Sequence, residues 1–360
     1  LTTLRDVAKL AGVSLSTASR ALNGQPDRQD AREKQARVLA AVRQLNYVPI
    51  DTLPGLSRGT HKKTAKHGLG NIGLVIGTVS YKFSDPFWSV VLNGVDRETS
   101  RSGYHLRFAF TLDDLKHEHQ EMLLDREHID GLILVGGHDS LLALDSLSDW
   151  LSDADARAHT VIIDGGDERF YRKRPLEYDV VTFEKRFPMY QLVDHLISLG
   201  HRRLAFLGPG GDIDDRGAAF MHALAFHDLP SDPMLYVECP WSTEGSYPAA
   251  QQLLNTGKEI DAVICGCDAI AISVMRAARE MGMHLPDDLA IAGFDDIEFA
   301  QHMHPALTTI RVEKEQLGEI AVRKLIERML WPELPPVIQI VPNTLVIRES
   351  CGELDTGARS

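Results

Sequence analysis

The 360-residue sequence predicts an all-α helix-turn-helix head joined to an α/β body of two doubly wound parallel-sheet lobes. Three observations carry this. Apolar residues recur at helical spacing in the first 45 positions, and β-rich runs alternate with amphipathic stretches from about residue 70 to 350. Charge also divides between the two regions. The net charge of −13, taken whole, argues against a nucleic-acid partner. Residues 1–66 nevertheless hold twelve Lys and Arg against five Asp and Glu, which puts +7 on that segment and −20 on the rest. A small basic head on a large acidic body is the contrast expected of a nucleic-acid module, although charge alone fits a solvated lysine-rich segment equally well.

Composition sets the outer bounds. Apolar residues make up 44% and charged residues 25%, enough to bury substantial cores and to exclude a disordered chain. The length suits two or three domains. No apolar run approaches the ~20 residues of a membrane helix, and no signal-peptide core opens the sequence, so a cytoplasmic protein without a membrane partner is expected. Cys239, Cys265, Cys267 and Cys351 are too few for a disulfide scaffold.

The head is built from caps and turns. Thr3-Leu4-Arg5-Asp6 fits a capping box, and Leu4, Val7, Ala8, Leu10 and Ala11 then form one apolar face. Gly12 stands where a helix end calls for positive φ, Val13 fills the turn, and Ser14 is suited to cap a second helix running through Leu22. In that helix Ala18, Ala21 and Leu22 face inward, leaving Leu15, Ser16, Thr17, Ser19 and Arg20 outward. A third helix spans about Arg32 to Leu45, with Val38, Leu39, Val42 and Leu45 inward. Two short helices around a glycine turn describe a helix-turn-helix, a motif that also serves as a plain three-helix core. Arg20 suits a guanine edge, and the hydroxyls suit phosphates or bases.

From Ser57 to Gly70 the chain is rich in Lys, His, Gly and Thr without apolar period, which marks a linker. Gly68-Leu69-Gly70-Asn71-Ile72-Gly73 matches a dinucleotide fingerprint literally. That fingerprint needs a strand before its glycines and a helix after them, whereas here a linker precedes and a strand follows.

In the body, strands are expected at Ile72–Ile76, Leu106–Phe110, Gly131–Val135, Thr160–Ile163, Val180–Phe183, Arg203–Leu207, Met234–Val237, Ala262–Ile264, Ala290–Ala292 and Val337–Pro342. Helices are expected at Phe87–Ser102, Pro188–Leu199, Ala218–Phe226, Ser246–Asn255 and Ile270–Met281. Such alternation gives parallel sheets covered on both faces, with ligands at the carboxyl ends of the strands and in the cleft between lobes.

Specific motifs sharpen this picture. Asp6-Val7-Ala8, Ala11-Gly12-Val13-Ser14 and Ser16-Thr17-Ala18-Ser19-Arg20-Ala21-Leu22-Asn23 together resemble the DNA-binding head of the lactose-repressor (LacI/GalR-type) family, and Leu45-Asn46-Tyr47-Val48-Pro49 is similar to the stretch that leaves it. The resemblance continues to about Ser350 through Asp85-Pro86-Phe87, Leu199-Gly200-His201-Arg202-Arg203, Leu285-Pro286-Asp287-Asp288, Gly293-Phe294-Asp295-Asp296 and Pro305-Ala306-Leu307-Thr308-Thr309. It implies a periplasmic-binding-protein-like body with three crossovers. The implied division is a DNA-binding head over 1–49, hinge and linker over 50–69, a body over 70–350 and a tail over 351–360. Lobe one would take about 70–164 and 313–335, and lobe two about 165–312 and 336–350.

The resemblance also implies roles. Leu15, Ser16 and Arg20 fall where the family reads bases, and Thr3, Ser14, Thr17, Ser19 and Asn23 where it holds phosphates. Leu56 matches the hinge leucine wedged into the minor groove. From the residues themselves, Phe87 and Trp88 begin the first helix of the body, where an aromatic plane suits stacking on a sugar or base ring, with inter-lobe or dimer packing as their alternative. Asp164 matches a ligand position, or else caps a helix. Arg216 matches an arginine that clamps ligand oxygens, a task suited to a forked donor. Asp295 would accept hydroxyl hydrogens, Trp241 matches an aromatic contact in some members, and Asp268 is structural, closing a loop.

Departures limit the transfer. The chain is about two residues longer than usual between Asp27 and Val38. Leu53-Pro54 stand where the family usually has Ala-Arg, and Pro54-Gly55 predict a hinge helix that is shortened, displaced or absent without DNA. Cys267 stands where many sugar-responsive members have Asn, and Glu184-Lys185 where Asp-Asn is usual.

No metal or cofactor is expected. Cys265-Gly266-Cys267 is too tightly spaced for a zinc knuckle, and no nucleophile elbow, P-loop or His-Glu-x-x-His run appears. Gly208-Pro209-Gly210-Gly211 lacks a Lys-Ser/Thr ending and suits a turn. The function expected is therefore a non-enzymatic, ligand-responsive transcriptional regulator, a repressor. It would bind a near-palindromic double-stranded operator as a homodimer, with a carbohydrate effector between its lobes. A solute-binding protein lacks a reason for the head, and an α/β enzyme lacks a catalytic constellation.

Overall fold

In the computed structural model the described residues are 4–14, 17–18, 34, 36–41, 70–77, 85–111, 129–136, 157, 159–164, 176–210 and 214–352. The chain divides into two compact units, Leu1–Gly70 with Arg101–His105, and Asn71–Ser100 with Leu106–Ser360.

In the first unit α1 spans Leu4–Ala11, and Gly12 follows with φ +62°. Ser14 caps the next turn, its Oγ accepting the Thr17 amide at 3.1 Å and lying 2.7 Å from Thr17 Oγ1. Val7, Ala8, Ala11, Ala18, Val38 and Ala41 are buried. Leu10, expected on the inward face, is exposed: with Val7 and Ala11 inward, residue 10 lies at the edge of the apolar stripe. Thr3, Leu15, Ser16, Ser19, Arg20, Asn23 and Leu56, and the hinge over 50–58, lie outside the described residues.

The second unit holds two parallel sheets. Six strands, β1 (Asn71–Ile76), β2 (His105–Thr111), β3 (Gly131–Val135), β4 (Thr160–Ile163), β5 (Asp179–Phe183) and β11 (Ile338–Val341), make the first, ordered β11-β5-β4-β3-β1-β2. The second runs β7-β6-β8-β9, from β6 (Leu204–Gly208), β7 (Tyr236–Glu238), β8 (Ala262–Cys265) and β9 (Ala290–Ala292). β1, β3 and β4 are buried along almost their whole length, as strands covered on both faces must be. β10 (Thr309–Arg311) and β12 (Thr344–Val346) pair antiparallel in a third, two-stranded sheet that the sequence reading omitted.

Among the described residues six helices lie between these strands: α2 (Trp88–Arg101), α3 (Arg186–Ser198), α4 (Asp215–Phe226), α5 (Thr243–Leu254), α6 (Asp268–Glu280) and α7 (Lys314–Leu330). Several begin earlier than their first apolar residue suggests because polar caps start them. Asp214 Oδ1 accepts the Arg216 amide at 2.9 Å, and Ser242 Oγ the Gly245 amide at 3.1 Å. Residues Pro233–Leu235 form a 3-10 turn, so only the end of the strand expected at Met234–Val237 is extended.

The lobe boundaries expected from sequence need correction. Residues 179–183 and 338–341, assigned there to lobe two, are hydrogen-bonded into the first sheet as β5 and β11. Asp179 holds them. Its Oδ1 accepts the Val337 amide at 2.9 Å, and its Oδ2 lies 2.9 Å from Arg328 Nε on α7, which packs on β3, β4 and β5. The chain therefore leaves the first sheet after β5, at Glu184-Lys185, and not near residue 165.

Candidate ligand-binding cavity

Both parallel sheets end their strands on one cavity of about 530 Å³. Parallel strands place their following loops at the carboxyl edge, so each residue just past a strand becomes a candidate wall. Asp164 follows β4, Lys185 follows β5, Trp241 follows β7, Cys267 follows β8 and Asp295 follows β9, and all five line the space. Phe87 and Trp88 enter from the start of α2, where Asp85 Oδ1 accepts both their amides at 2.8 Å. Arg216 enters from the first turn of α4. The six body residues given a ligand-contact role in the sequence, Phe87, Trp88, Asp164, Arg216, Trp241 and Asp295, thus line one space.

Arg216 is the most constrained of them. Its Nε donates to Asp214 Oδ1 at 2.7 Å, Nη2 to Asp214 Oδ2 at 3.1 Å, and Nη1 to the Gly266 carbonyl at 2.8 Å. Its guanidinium carbon lies 4.5 Å from the Trp241 ring centre and 4.8 Å from that of Phe294, within cation–π range of each. Asp295 Oδ1 is 3.8 Å from Nη1. Burial works against charging Asp214, but Arg216 and Lys185 outweigh it and hold its carboxyl below the usual range. Burial likewise opposes the Lys185 charge, and Asp164 with Asp214 reverses that effect.

Lys185 and Asp214 are the residues the sequence reading missed as functional. Lys185 Nζ is 2.7 Å from Asp164 Oδ1 and 3.3 Å from Asp214 Oδ2. The signal for Asp214 was present: Asp214-Asp215 immediately before a helical run is a helix-start pattern. Nothing local announced that Lys185 would reach two carboxylates distant in sequence. Phe183 was also missed; it packs 5.7 Å from Phe87 and 6.2 Å from Phe294, centre to centre.

Backbone shape is unusual at the same edge. Asp164, Asp295 and Asp296 have φ of +57°, +115° and +51°, a region in which non-glycine residues are uncommon and cluster at sites. Asp268 does close a loop: Oδ2 accepts the Ile297 amide at 2.8 Å and Oδ1 the Thr309 hydroxyl at 2.6 Å. Burial raises its carboxyl to about 7, against the opposing pull of those two bonds. Asp295 is raised well above the carboxylate range, first by burial, with Asp268 reinforcing and Arg216 opposing.

Cys239 and Cys267 also line the cavity, and all four cysteines are free and buried. Burial alone lifts the Cys239 thiol to about 12, which keeps it protonated. Gly210, in the segment expected as a turn, borders the space too; a Cβ there would meet the Glu238 carboxylate at 2.7 Å. Among the described residues no cluster of His, Cys, Asp or Glu is placed to hold a metal ion, and no helix is long and apolar enough to cross a membrane.

Residues 3–49 match the model of bacterial regulatory proteins of the lacI family, and residues 193–351 that of the periplasmic binding protein-like domain. The chain is 30% identical over 340 residues to the ribose operon repressor of Escherichia coli strain K12, covering 93% of this chain and 95% of that protein. It is 29% identical over 379 residues to the HTH-type transcriptional repressor PurR of Glaesserella parasuis, covering 99% and 100%. Among solved structures, a complex of the transcriptional regulator CelR with cellobiose is similar at a TM-score of 0.67 and 25% identity, covering 97% of this chain and 100% of that one.

Proposed function

The chain belongs to the LacI family of bacterial regulatory proteins, and we propose that it is a transcriptional repressor binding a near-palindromic operator as a homodimer. An uncharged sugar or sugar derivative in the cavity sets its affinity for DNA. The observation that carries this reading is the meeting of Phe87, Trp88, Asp164, Arg216, Trp241 and Asp295 around one space at the carboxyl ends of two sheets. Carboxylates accept hydroxyl hydrogens, the guanidinium donates to ring or hydroxyl oxygens, and indole faces cover the apolar faces of a sugar ring. Even with Asp295 left out as protonated, Asp85, Asp164, Asp214 and Glu238 outnumber Lys185 and Arg216 in the lining, which disfavours phosphorylated or acidic ligands. Similarity to a ribose operon repressor and to a regulator solved with cellobiose supports the same broad class.

We assign residues 1–49 to DNA binding, 50–69 to hinge and linker, and 351–360 to a tail. Leu15, Ser16 and Arg20 read bases, Thr3, Ser14, Thr17, Ser19 and Asn23 hold phosphates, and Leu56 enters the minor groove. The cavity is given a binding role rather than a catalytic one, since Asp164 and Asp214 are committed to Lys185 and Arg216. Regulation follows from population shift: a ligand favouring one lobe arrangement moves DNA affinity only by its differential affinity for the two states. The work of such a protein places it in the cytoplasm.

The test is a mobility shift on the promoter flanking its own gene, at about 50 and 200 mM salt. Sequence-selective, steeply salt-sensitive binding is expected; no binding even at low salt contradicts the proposal. Arg20→Ala should lower discrimination between operator and random DNA by ~1–3 kcal/mol. An equal loss on both DNAs would make Arg20 a phosphate contact instead.

A further inference from the structure

Lys185 stands where the chain leaves β5 of the first sheet for α3, and its side chain is buried at the cavity wall. Its ammonium joins a carboxylate at the end of β4 to the carboxylate that caps α4. Asp214 is also gripped twice by Arg216, so Asp164, Lys185, Asp214 and Arg216 form a buried chain of alternating charge whose sum is zero.

A cation bound in this cavity would gain most between Asp164 and Asp214, where a compact ammonium meets two buried carboxylates at hydrogen-bonding distance. Lys185 places its own ammonium there. Nζ donates to Asp164 Oδ1 at 2.7 Å and is ion-paired with Asp214 Oδ2 at 3.3 Å, and an ammonium with three N–H groups can donate to a ligand oxygen as well. An incoming anion finds that charge already neutralised.

We propose that Lys185 determines the chemical class of the ligand: by filling the cation position between Asp164 and Asp214, it turns away amino-bearing ligands and offers one N–H to an oxygen of an uncharged one. The inference rests on reading this cavity as the effector site. It makes Lys185 a specificity residue rather than a purely structural one, because a structural lysine would leave ligand preference unchanged when replaced.

The experiment is a thermal-shift screen followed by calorimetric titration, using the full chain. The panel holds ribose, glucose, galactose and cellobiose beside glucosamine, galactosamine, glucuronate and galacturonate. Ligands that bind the native state raise its melting temperature. Wild-type binding is expected among the neutral sugars only. In Lys185→Asn, that binding should weaken at least tenfold and an amino sugar should bind at least tenfold tighter than to wild type; Lys185→Arg, which keeps a cation, should still reject amino sugars. Wild type binding an amino sugar as tightly as its neutral counterpart overturns the proposal, as does an Asn variant with unchanged preferences. Should the Asn variant fail to fold, the wild-type panel still decides by the first criterion. Binding of no panel member to wild type fails the effector reading itself, and the inference with it.

Discussion

The two walls of the cavity are built differently. On the side of the second sheet, Arg216 is fixed from several directions, by two bonds to Asp214, one to the Gly266 carbonyl, and the rings of Trp241 and Phe294. On the side of the first sheet, Phe87 and Trp88 meet edge to face at 4.9 Å and Phe87 packs on Phe183, while Asp164 is held by Lys185 at 2.7 Å and more loosely by the Thr182 hydroxyl at 3.3 Å. The second wall is preorganised before a ligand arrives, which reduces the ordering cost of binding. The first supplies apolar surface and, through Lys185, the chemical filter. Orientation and selectivity therefore come from opposite sides.

The largest way to break this contrast is Arg216→Ala. It strips Asp214 of its bidentate partner in a buried setting, and loss of one member of a buried pair typically costs ~3–5 kcal/mol. Urea unfolding should show that loss, together with loss of ligand response. A change under ~1 kcal/mol would mean that Lys185 alone satisfies Asp214.

A smaller effect tests how each lobe is packed. In the first, α2 and α7 cross at Gly94 and Gly318; a Cβ on Gly94 would stand 2.1 Å from the Glu315 carbonyl oxygen. Backbone cannot give way there without parting the helices, so Gly94→Ala should destabilise by ~1–3 kcal/mol. In the second, a Cβ on Gly217 would meet the end of a side chain, the Tyr236 hydroxyl, at 2.1 Å. Gly217→Ala should cost less, because the ring can shift and alanine favours the helix by ~0.5–1 kcal/mol. Comparable losses in both variants would erase the distinction.

A separate effect is one of pH. The unfolded chain releases the Asp268 proton in the usual carboxylate range, whereas the fold keeps it until about 7. The folded state binds more protons between those values, so stability should fall as pH rises from about 5 to 8. Asp295, also raised, acts in the same direction. Melting temperatures across that range should decline for wild type and decline less for Asp268→Asn; an unchanged slope in the variant would remove Asp268 as the cause.

Much of this was legible in the sequence because strand-end logic is local. Asp164, Trp241 and Asp295 follow strand signals, and Arg216 opens a helix, so a parallel-sheet reading alone brings them to one edge. What escaped was decided at long range. β5 and β11 belong to the first sheet because Asp179 binds Val337 and Arg328, residues more than a hundred positions away. The antiparallel pairing of β10 with β12, Ile310 opposite Leu345, likewise joins segments on either side of α7. Lys185 looked like a departure from a family pattern; only the fold reveals that its ammonium reaches both Asp164 and Asp214.

The most direct measurement of the central claim is coupling between the cavity and DNA. Fluorescence anisotropy would follow a labelled operator fragment titrated with the full chain, with and without the sugar that raises its melting temperature. Saturating sugar should change operator affinity at least tenfold, about 1.4 kcal/mol of coupling, and the change should vanish in Arg216→Ala. Equal operator affinity in wild type with and without the bound sugar would contradict the account.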